Sequence, residues 1–225
     1  MLKNISNLGD AALYCDFGIQ VNKATNLEVI KYFNTIREKK IKGINNLTPS
    51  YNKLIISFDL RVTNFSEIKN KIENLDTTIQ QNKNYKKIEV PVCCEENFAL
   101  DKSRLEKKLN LSYQEILTKF FDKEYFCYMT GFIAGMPFLG DIDENLRTQR
   151  LETPRVKVPQ GSVGITEQFA NIYTFDSPGG WNIIGNTPLK VFDDSKEKDP
   201  NLINPGDKII FKQISRQEYE SSNDK

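Results

Sequence analysis

Three glycine clusters set among large apolar residues constrain this chain more than any other feature. They are Gly131-Phe132-Ile133-Ala134-Gly135-Met136-Pro137-Phe138-Leu139-Gly140, Pro159-Gln160-Gly161-Ser162-Val163-Gly164-Ile165 and Ser177-Pro178-Gly179-Gly180-Trp181. A solvated linker would be rich in Ser and charge, whereas these stretches carry Phe, Met, Val, Ile and the single Trp. Glycine permits backbone angles and close approaches that a Cβ forbids. Beside bulky neighbours, that freedom serves tightly packed turns. Two readings stay open: barrel corners and hairpins, or a backbone-lined site or docking surface carried on a rigid β scaffold.

Hydrophobic periodicity divides the 225 residues into two regimes. Residues 11–17 alternate as a strand. Residues 25–40 place Leu27, Ile30, Phe33 and Ile36 on one helical face. Residues 44–49 and 53–59 read as strands, Asn64 caps a second helix carrying Phe65, Ile68, Ile72 and Leu75, and residues 86–94 alternate again. The order β-α-β-β-α-β predicts a ferredoxin-like α+β unit over residues 1–95. A helical connection follows over 96–124, with Asp101 as one cap and the Ser112-x-x-Glu115 capping box as another. From Tyr125 onward only short apolar strands remain, divided by Gly and Pro, which predicts a sandwich or barrel over 125–216. Residues 217–225 read as a frayed polar tail.

Composition removes several function classes. The 31 Lys and Arg against 30 Asp and Glu leave a formal net charge of +1, giving no general attraction to nucleic acid or anionic lipid. No run approaches the roughly 18 apolar residues of a membrane span, and residues 1–18 lack the core of a secretory signal. The four cysteines, including the vicinal Cys93-Cys94, lack metal-ligand spacing, so a reduced, cytoplasmic protein is expected. The absence of histidine excludes Ser-His-Asp and Cys-His relays and any imidazole metal site. Asp141 and Asp143, two residues apart, are too little to hold a metal, and none is expected. Neither a Gly-x-x-x-x-Gly-Lys-Ser/Thr loop nor a Gly-x-Gly-x-x-Gly turn is present, so no nucleotide is expected on this chain alone.

The glycine clusters, with Thr153-Pro154-Arg155 before the second and Ile172-Tyr173 before the third, run in an order and spacing that resemble a known family. It is the B subunit of the bacterial ATP-dependent 5-oxoprolinase, a family that also takes in KipI-type inhibitors of sensor histidine kinases and allophanate hydrolase subunit 1. The matching stretch continues to Leu189; Leu8 to Leu13 and Phe17-Gly18 resemble the family's opening strand more weakly. The resemblance implies a cyclophilin-like β barrel for the second half and agrees with a ferredoxin-like first half. It implies a chain that acts with the C and A subunits in a complex, cleaving 5-oxoproline to glutamate with ATP. The alternative is a regulatory protein that inhibits a sensor histidine kinase; a prolyl isomerase is suggested by barrel analogy alone, a poor warrant for function.

Candidate site residues gather on the same segments. Arg150 and Arg155 flank Leu151-Glu152-Thr153-Pro154 and can hold a carboxylate or phosphate through two parallel hydrogen bonds. Their alternative is surface pairing with Asp141, Asp143, Glu144 or Glu152. With the backbone of Gly161, Ser162, Gly164, Ser177, Gly179 and Gly180 they are expected to line a substrate or anion cleft. Without histidine, Ser162 has no evident base and reads as a turn hydroxyl. Phe132, Phe138 and Trp181 are expected at an interface. Two positions depart from the family pattern: Phe120 stands where His is usual, and Phe169 lies in a stretch that usually reads Gly-x-Gln-Thr-Gly.

Overall fold

The computed structural model describes residues 2–78 and 85–223. The chain divides into two compact units, Met1–Asn84 and Tyr85–Lys225.

The first unit contains β1 (Asn4–Asn7), β2 (Ala12–Asp16), α1 (Lys23–Lys39), β3 (Ile44–Pro49), β4 (Lys53–Phe58) and α2 (Phe65–Glu73). Asn22 caps α1 by accepting from Thr25 N–H, and Asn64 caps α2 by accepting from Glu67 N–H. The strands form one antiparallel sheet in the order β1-β2-β4-β3. Alternation turns Leu54, Ile56 and Phe58 of β4 inward, where with Leu13 and Cys15 they meet Val29 and Ile36 of α1 and Ile68 and Ile72 of α2.

This order corrects the expected β-α-β-β-α-β unit. The strand read at residues 86–94 is β5 (Lys87–Cys93), which lies in the second unit, paired in parallel with β13 (Lys208–Ile214) over seven positions. Val90 and Val92 are buried in that unit's core. The sheet edge beside β2 is filled instead by β1, whose single buried residue, Ile5, leaves no alternation for a sequence reading to find.

In the second unit seven strands close a barrel in the order β10-β7-β6-β13-β5-β12-β9. The remaining barrel strands are β6 (Glu124–Thr130), β7 (Pro137–Gly140), β9 (Ser162–Thr166), β10 (Phe169–Ile172) and β12 (Asn182–Asn186). Tyr125, Cys127, Leu139, Val163, Ile165, Ala170, Ile172, Ile184, Ile209 and Phe211 belong to its core. The helices α3 (Lys102–Leu109) and α4 (Tyr113–Phe121) contribute Leu105, Ile116, Leu117 and Phe120 to the same cluster, so they are part of the barrel unit and not a connection. A separate two-stranded sheet pairs β8 (Arg155–Val158) with β11 (Ser177–Gly179). Of the tail expected to fray from residue 217, the described part belongs to α5 (Arg216–Asn223), started by Ser215 and Glu218: Glu218 Oε2 accepts from Ser215 N–H, and Ser215 Oγ accepts from Glu218 N–H. No strand spans residues 189–192; Phe192 makes only an isolated bridge to Asn201.

Phe120 explains its own departure from the family pattern. It is fully buried, with its ring 4.8 Å from Phe211 and 5.3 Å from Tyr125, whose hydroxyl donates to the Phe120 carbonyl. Restoring histidine would place an imidazole without a side-chain partner among these rings. Phe120→His should therefore destabilise the chain by about 2–4 kcal/mol, read by urea denaturation; unchanged stability would show that the position tolerates a polar group.

Burial also fixes an alkaline limit. The thiols of Cys15 and Cys94 are pushed by burial from 9.0 to about 12, and the Tyr51 phenol from 10.0 to about 12. A raised folded value means the unfolded chain ionises first. Stability should hold below pH 9 and fall steadily from there toward pH 12. Denaturation curves at pH 7, 9 and 11 test this, and equal midpoints would contradict it.

Candidate functional site

The predicted cleft residues fall into two groups. Arg155 opens β8 opposite Gly179 of β11, and Ser177 faces Val158 across the same pair. Arg150 lies beside Gly180, where a Cβ would stand 3.3 Å from its Nε and Nη2, and Leu151 N–H donates to the Gly180 carbonyl. Gly164, on β9, faces Asn171 and Trp181. These residues meet around Tyr173. Its hydroxyl occupies the space a Gly179 side chain would need, and it interacts with the Asn171 side chain and the Trp181 backbone. Burial raises the Tyr173 phenol above its ordinary value, while hydrogen bonds with the Asn171 side chain and the Trp181 backbone, and to a lesser extent the charges of Arg150 and Arg155, draw it back down. The phenol thus stays protonated, a hydrogen-bond donor beside two cations.

Gly161 and Ser162 sit apart, at the other end of β9. Gly161 has φ +79°, which favours glycine, and a Cβ there would collide with the Thr187 carbonyl. Its N–H donates to the Tyr173 carbonyl at 2.7 Å, and Ser162 N–H donates to the Pro159 carbonyl. These amides are already used, so the loop offers no backbone cradle for phosphate. Tyr173 links the two groups: its backbone bonds Gly161 and Ser162, and its ring reaches Gly179.

Arg155 has a partner that sequence reading did not foresee. Its Nη2 donates to Asp101 Oδ1 at 2.7 Å, and the other Asp101 oxygen accepts from Ile183 N–H at 2.7 Å. Asp101 was expected to cap α3. It stands at the cap position, but its side chain makes no cap bond, because a guanidinium and a strand amide take both oxygens. The pairing with Asp141, Asp143, Glu144 or Glu152 considered from the sequence is replaced by one 54 residues away.

Three buried polar atoms near this seam have no partner: Arg155 Nη1, Asn171 Oδ1 and Ser177 Oγ. Such atoms are costly unless something completes them. Together with Arg150 and the Tyr173 hydroxyl they offer mainly donors, the chemistry of an anion site. Asn171 and Tyr173 were missed as site members; their signal was position, since Ile172-Tyr173 already stood in the motif order. No group of three or more metal-binding side chains occurs among the described residues.

The expected interface residues also separate. Phe138 packs edge to face on Trp181 at 5.6 Å, and both are half-buried. Phe132 is 71% exposed on a residue with φ +71°. Phe169 lies edge-on to Tyr128 and over Gly140, where a Cβ would come within 3.1 Å of its ring.

The closed barrel with its outer β ribbon lies within a known domain family. The family described as carboxyltransferase domain, subdomain C and D, matches residues 3–203. The B subunit of 5-oxoprolinase from Bacillus subtilis (strain 168) is 31% identical over 96% of this chain and 94% of its own length. The chain belongs to the 5-oxoprolinase B-subunit family. Its fold matches the crystal structure of TTHA0988 with a TM-score of 0.82 at 26% identity, covering 92% of this chain and 40% of that one, so it spans about two fifths of that protein. The urea amidolyase of K. lactis shares the fold, with a TM-score of 0.76 at 15% identity over 96% of this chain and 15% of that one.

Asp101→Ala should cost about 3 kcal/mol, near the low end for breaking a buried ion pair because Arg155 is 28% exposed. Asp101→Leu combined with Arg155→Leu should recover part of that loss. Urea denaturation of both variants is the check; a double variant less stable than the single one would contradict the pair's assignment.

Proposed function

We propose that this chain is a component of an ATP-dependent 5-oxoprolinase complex that converts 5-oxoproline (pyroglutamate) to glutamate together with the A and C subunits. The observation that carries this reading is the match to the Bacillus subtilis protein along 94% of its length. No helix of the described residues is long and apolar enough to cross a membrane, and a cytoplasmic place is proposed with the complex. The barrel is read as cyclophilin-like on the family resemblance.

Within the complex, the seam is assigned the substrate carboxylate. Arg150 supplies an exposed guanidinium, Arg155 its unpartnered Nη1, and Tyr173 a protonated hydroxyl. Ser177 Oγ and Asn171 Oδ1 are the remaining free groups, and Gly179 and Gly180 give the rings and arginines room to approach. Gly161, Ser162 and Gly164, expected in the same cleft, are assigned to the scaffold behind it. The chain's residues do not fit a triphosphate: the amides of Gly161 and Ser162 are engaged, and no phosphate loop is present. ATP is therefore proposed for the complex, where it supplies the activation that a stable lactam needs. This chain's share is to bind and orient.

Phe132 is proposed to contact the partner subunit, because a ring 71% exposed at a constrained turn gains by being covered. Val156, 89% exposed on β8, extends the same apolar character. A sensor histidine kinase is the alternative occupant of this surface.

Co-expression with the A and C subunits, followed by assay of 5-oxoproline- and ATP-dependent glutamate release, tests the function; a purified three-component complex without that activity sinks it. Arg150→Ala should weaken 5-oxoproline binding to the complex roughly tenfold to a hundredfold, the scale of a lost charge-assisted hydrogen bond, without lowering stability. Unchanged calorimetric affinity would remove Arg150 from the site.

A further inference from the structure

We propose that the Asn171 carboxamide oxygen takes the lactam N–H of the substrate, which makes the seam selective for a cyclic secondary amide with a carboxylate on the atom next to its nitrogen. The assignment rests on the 5-oxoprolinase reading and deepens it.

The seam's three unpartnered buried atoms differ in kind. Arg155 Nη1 only donates, Ser177 Oγ does either, and Asn171 Oδ1 only accepts. A ligand that brought a carboxylate alone would satisfy the arginine and leave Oδ1 facing a second acceptor. What completes both is an anion with an N–H donor close beside it. Asn171 is fully buried, and a buried acceptor without a donor is costly.

The strand and its neighbours fix which way the carboxamide points. Ala170 and Ile172 enter the barrel core, so Asn171, between them on β10, faces away from it. Its Nδ2 lies 4.0 Å from the Met136 sulfur. The side chain also hydrogen-bonds the Tyr173 phenol in the sense that lowers its pKa, which is the sense of a donor to the phenol oxygen. The amide nitrogen is the committed half. Oδ1 is turned to the space above Gly164, where a Cβ would stand 2.8 Å from it and 3.0 Å from Trp181 Cβ. The Tyr173 hydroxyl in turn reaches Gly179, which faces Arg155 across the outer ribbon. Acceptor and guanidinium are thus joined through one phenol.

The ligand's chemistry follows from that pairing. In 5-oxoproline the N–H and the carboxylate sit on adjacent ring atoms, so one edge of the ring presents a donor beside an anion. That edge matches Oδ1 beside the arginines. The lactam carbonyl takes no part in this recognition and stays available to the rest of the complex. The same ring with oxygen in place of the N–H would set two acceptors against each other, and a site built to pair a donor discriminates strongly against an analogue that lacks it.

Calorimetric titration of the assembled complex, without ATP, compares 5-oxoproline with the isosteric γ-lactone carboxylate, whose ring oxygen replaces the N–H. The lactone should bind at least roughly tenfold more weakly. Asn171→Leu should weaken 5-oxoproline about tenfold and bring the two ligands within about twofold of each other. A purely structural role for Asn171 would lower both affinities and keep their ratio. Equal binding of the two ligands by the unaltered complex overturns the assignment and leaves the 5-oxoprolinase reading intact, as does a ratio unchanged by Asn171→Leu. Binding of neither ligand overturns that reading, and the assignment with it. Should Asn171→Leu fail to fold, Asn171→Ser, which removes the carboxamide without adding apolar bulk, supplies the same ratio.

Discussion

The carboxylate of Asp101 holds together three elements of the barrel unit. It accepts from Arg155 on β8 and from Ile183 N–H on β12, and the Asp101 backbone N–H, just before α3, donates to the Ile183 carbonyl at 3.1 Å. The strand β12 meets β5 only at Asn186 and Cys93. At Ile183, Asp101 thus supplies the acceptor and the donor that a neighbouring strand would otherwise provide. An acid that is 4% exposed is tolerable there because a guanidinium and an amide take both its oxygens. The same bond fixes the outer ribbon of β8 and β11 against the barrel wall, and the seam exists because that ribbon is held in place.

The glycines fit this arrangement as spaces. Gly179 admits the Tyr173 hydroxyl, Gly164 admits the Asn171 carboxamide and the Trp181 side chain, and Gly180 admits the Arg150 guanidinium. In each case the missing Cβ is replaced by a polar or aromatic group from elsewhere in the chain. Packed turn and functional wall, alternatives in the sequence, are one structure here.

Much of this was legible in the residues. Period-two runs located β2 and β5, helical spacing located α1, and capping residues located α2 and α4, because these signals are local. The placement of residues 87–93 was not, since alternation identifies a strand without naming its neighbour. β1 carries one apolar residue, and α5 was passed over although Ser215 and Glu218 form a capping pattern, its polar composition outweighing the cap. In the site, Arg155 and the glycines were visible as motif members. Asp101 was legible only as a cap, because a partner 54 residues away leaves no local trace. Gly161 shows the limit of reading a glycine as an anion nest: its N–H serves a carbonyl within the fold.

The barrel is closed by strands from the two ends of its unit. β5 lies in parallel beside β13, Lys87 opposite Lys208 and Cys93 opposite Ile214, and Lys86 N–H donates to Asp207 across 121 positions of sequence. Until residue 214 has left the ribosome, β5 lacks its main neighbour and the barrel stands open along that seam. The nascent chain must carry Val90, Val92 and the inward face of β6 uncovered while the rest of the unit is added. Long-range parallel pairing of this kind delays folding and leaves strand edges available to other chains. Production of the protein is thus governed by its last strand: a chain ending before β13 would keep most of the core's residues and have nothing to close them with.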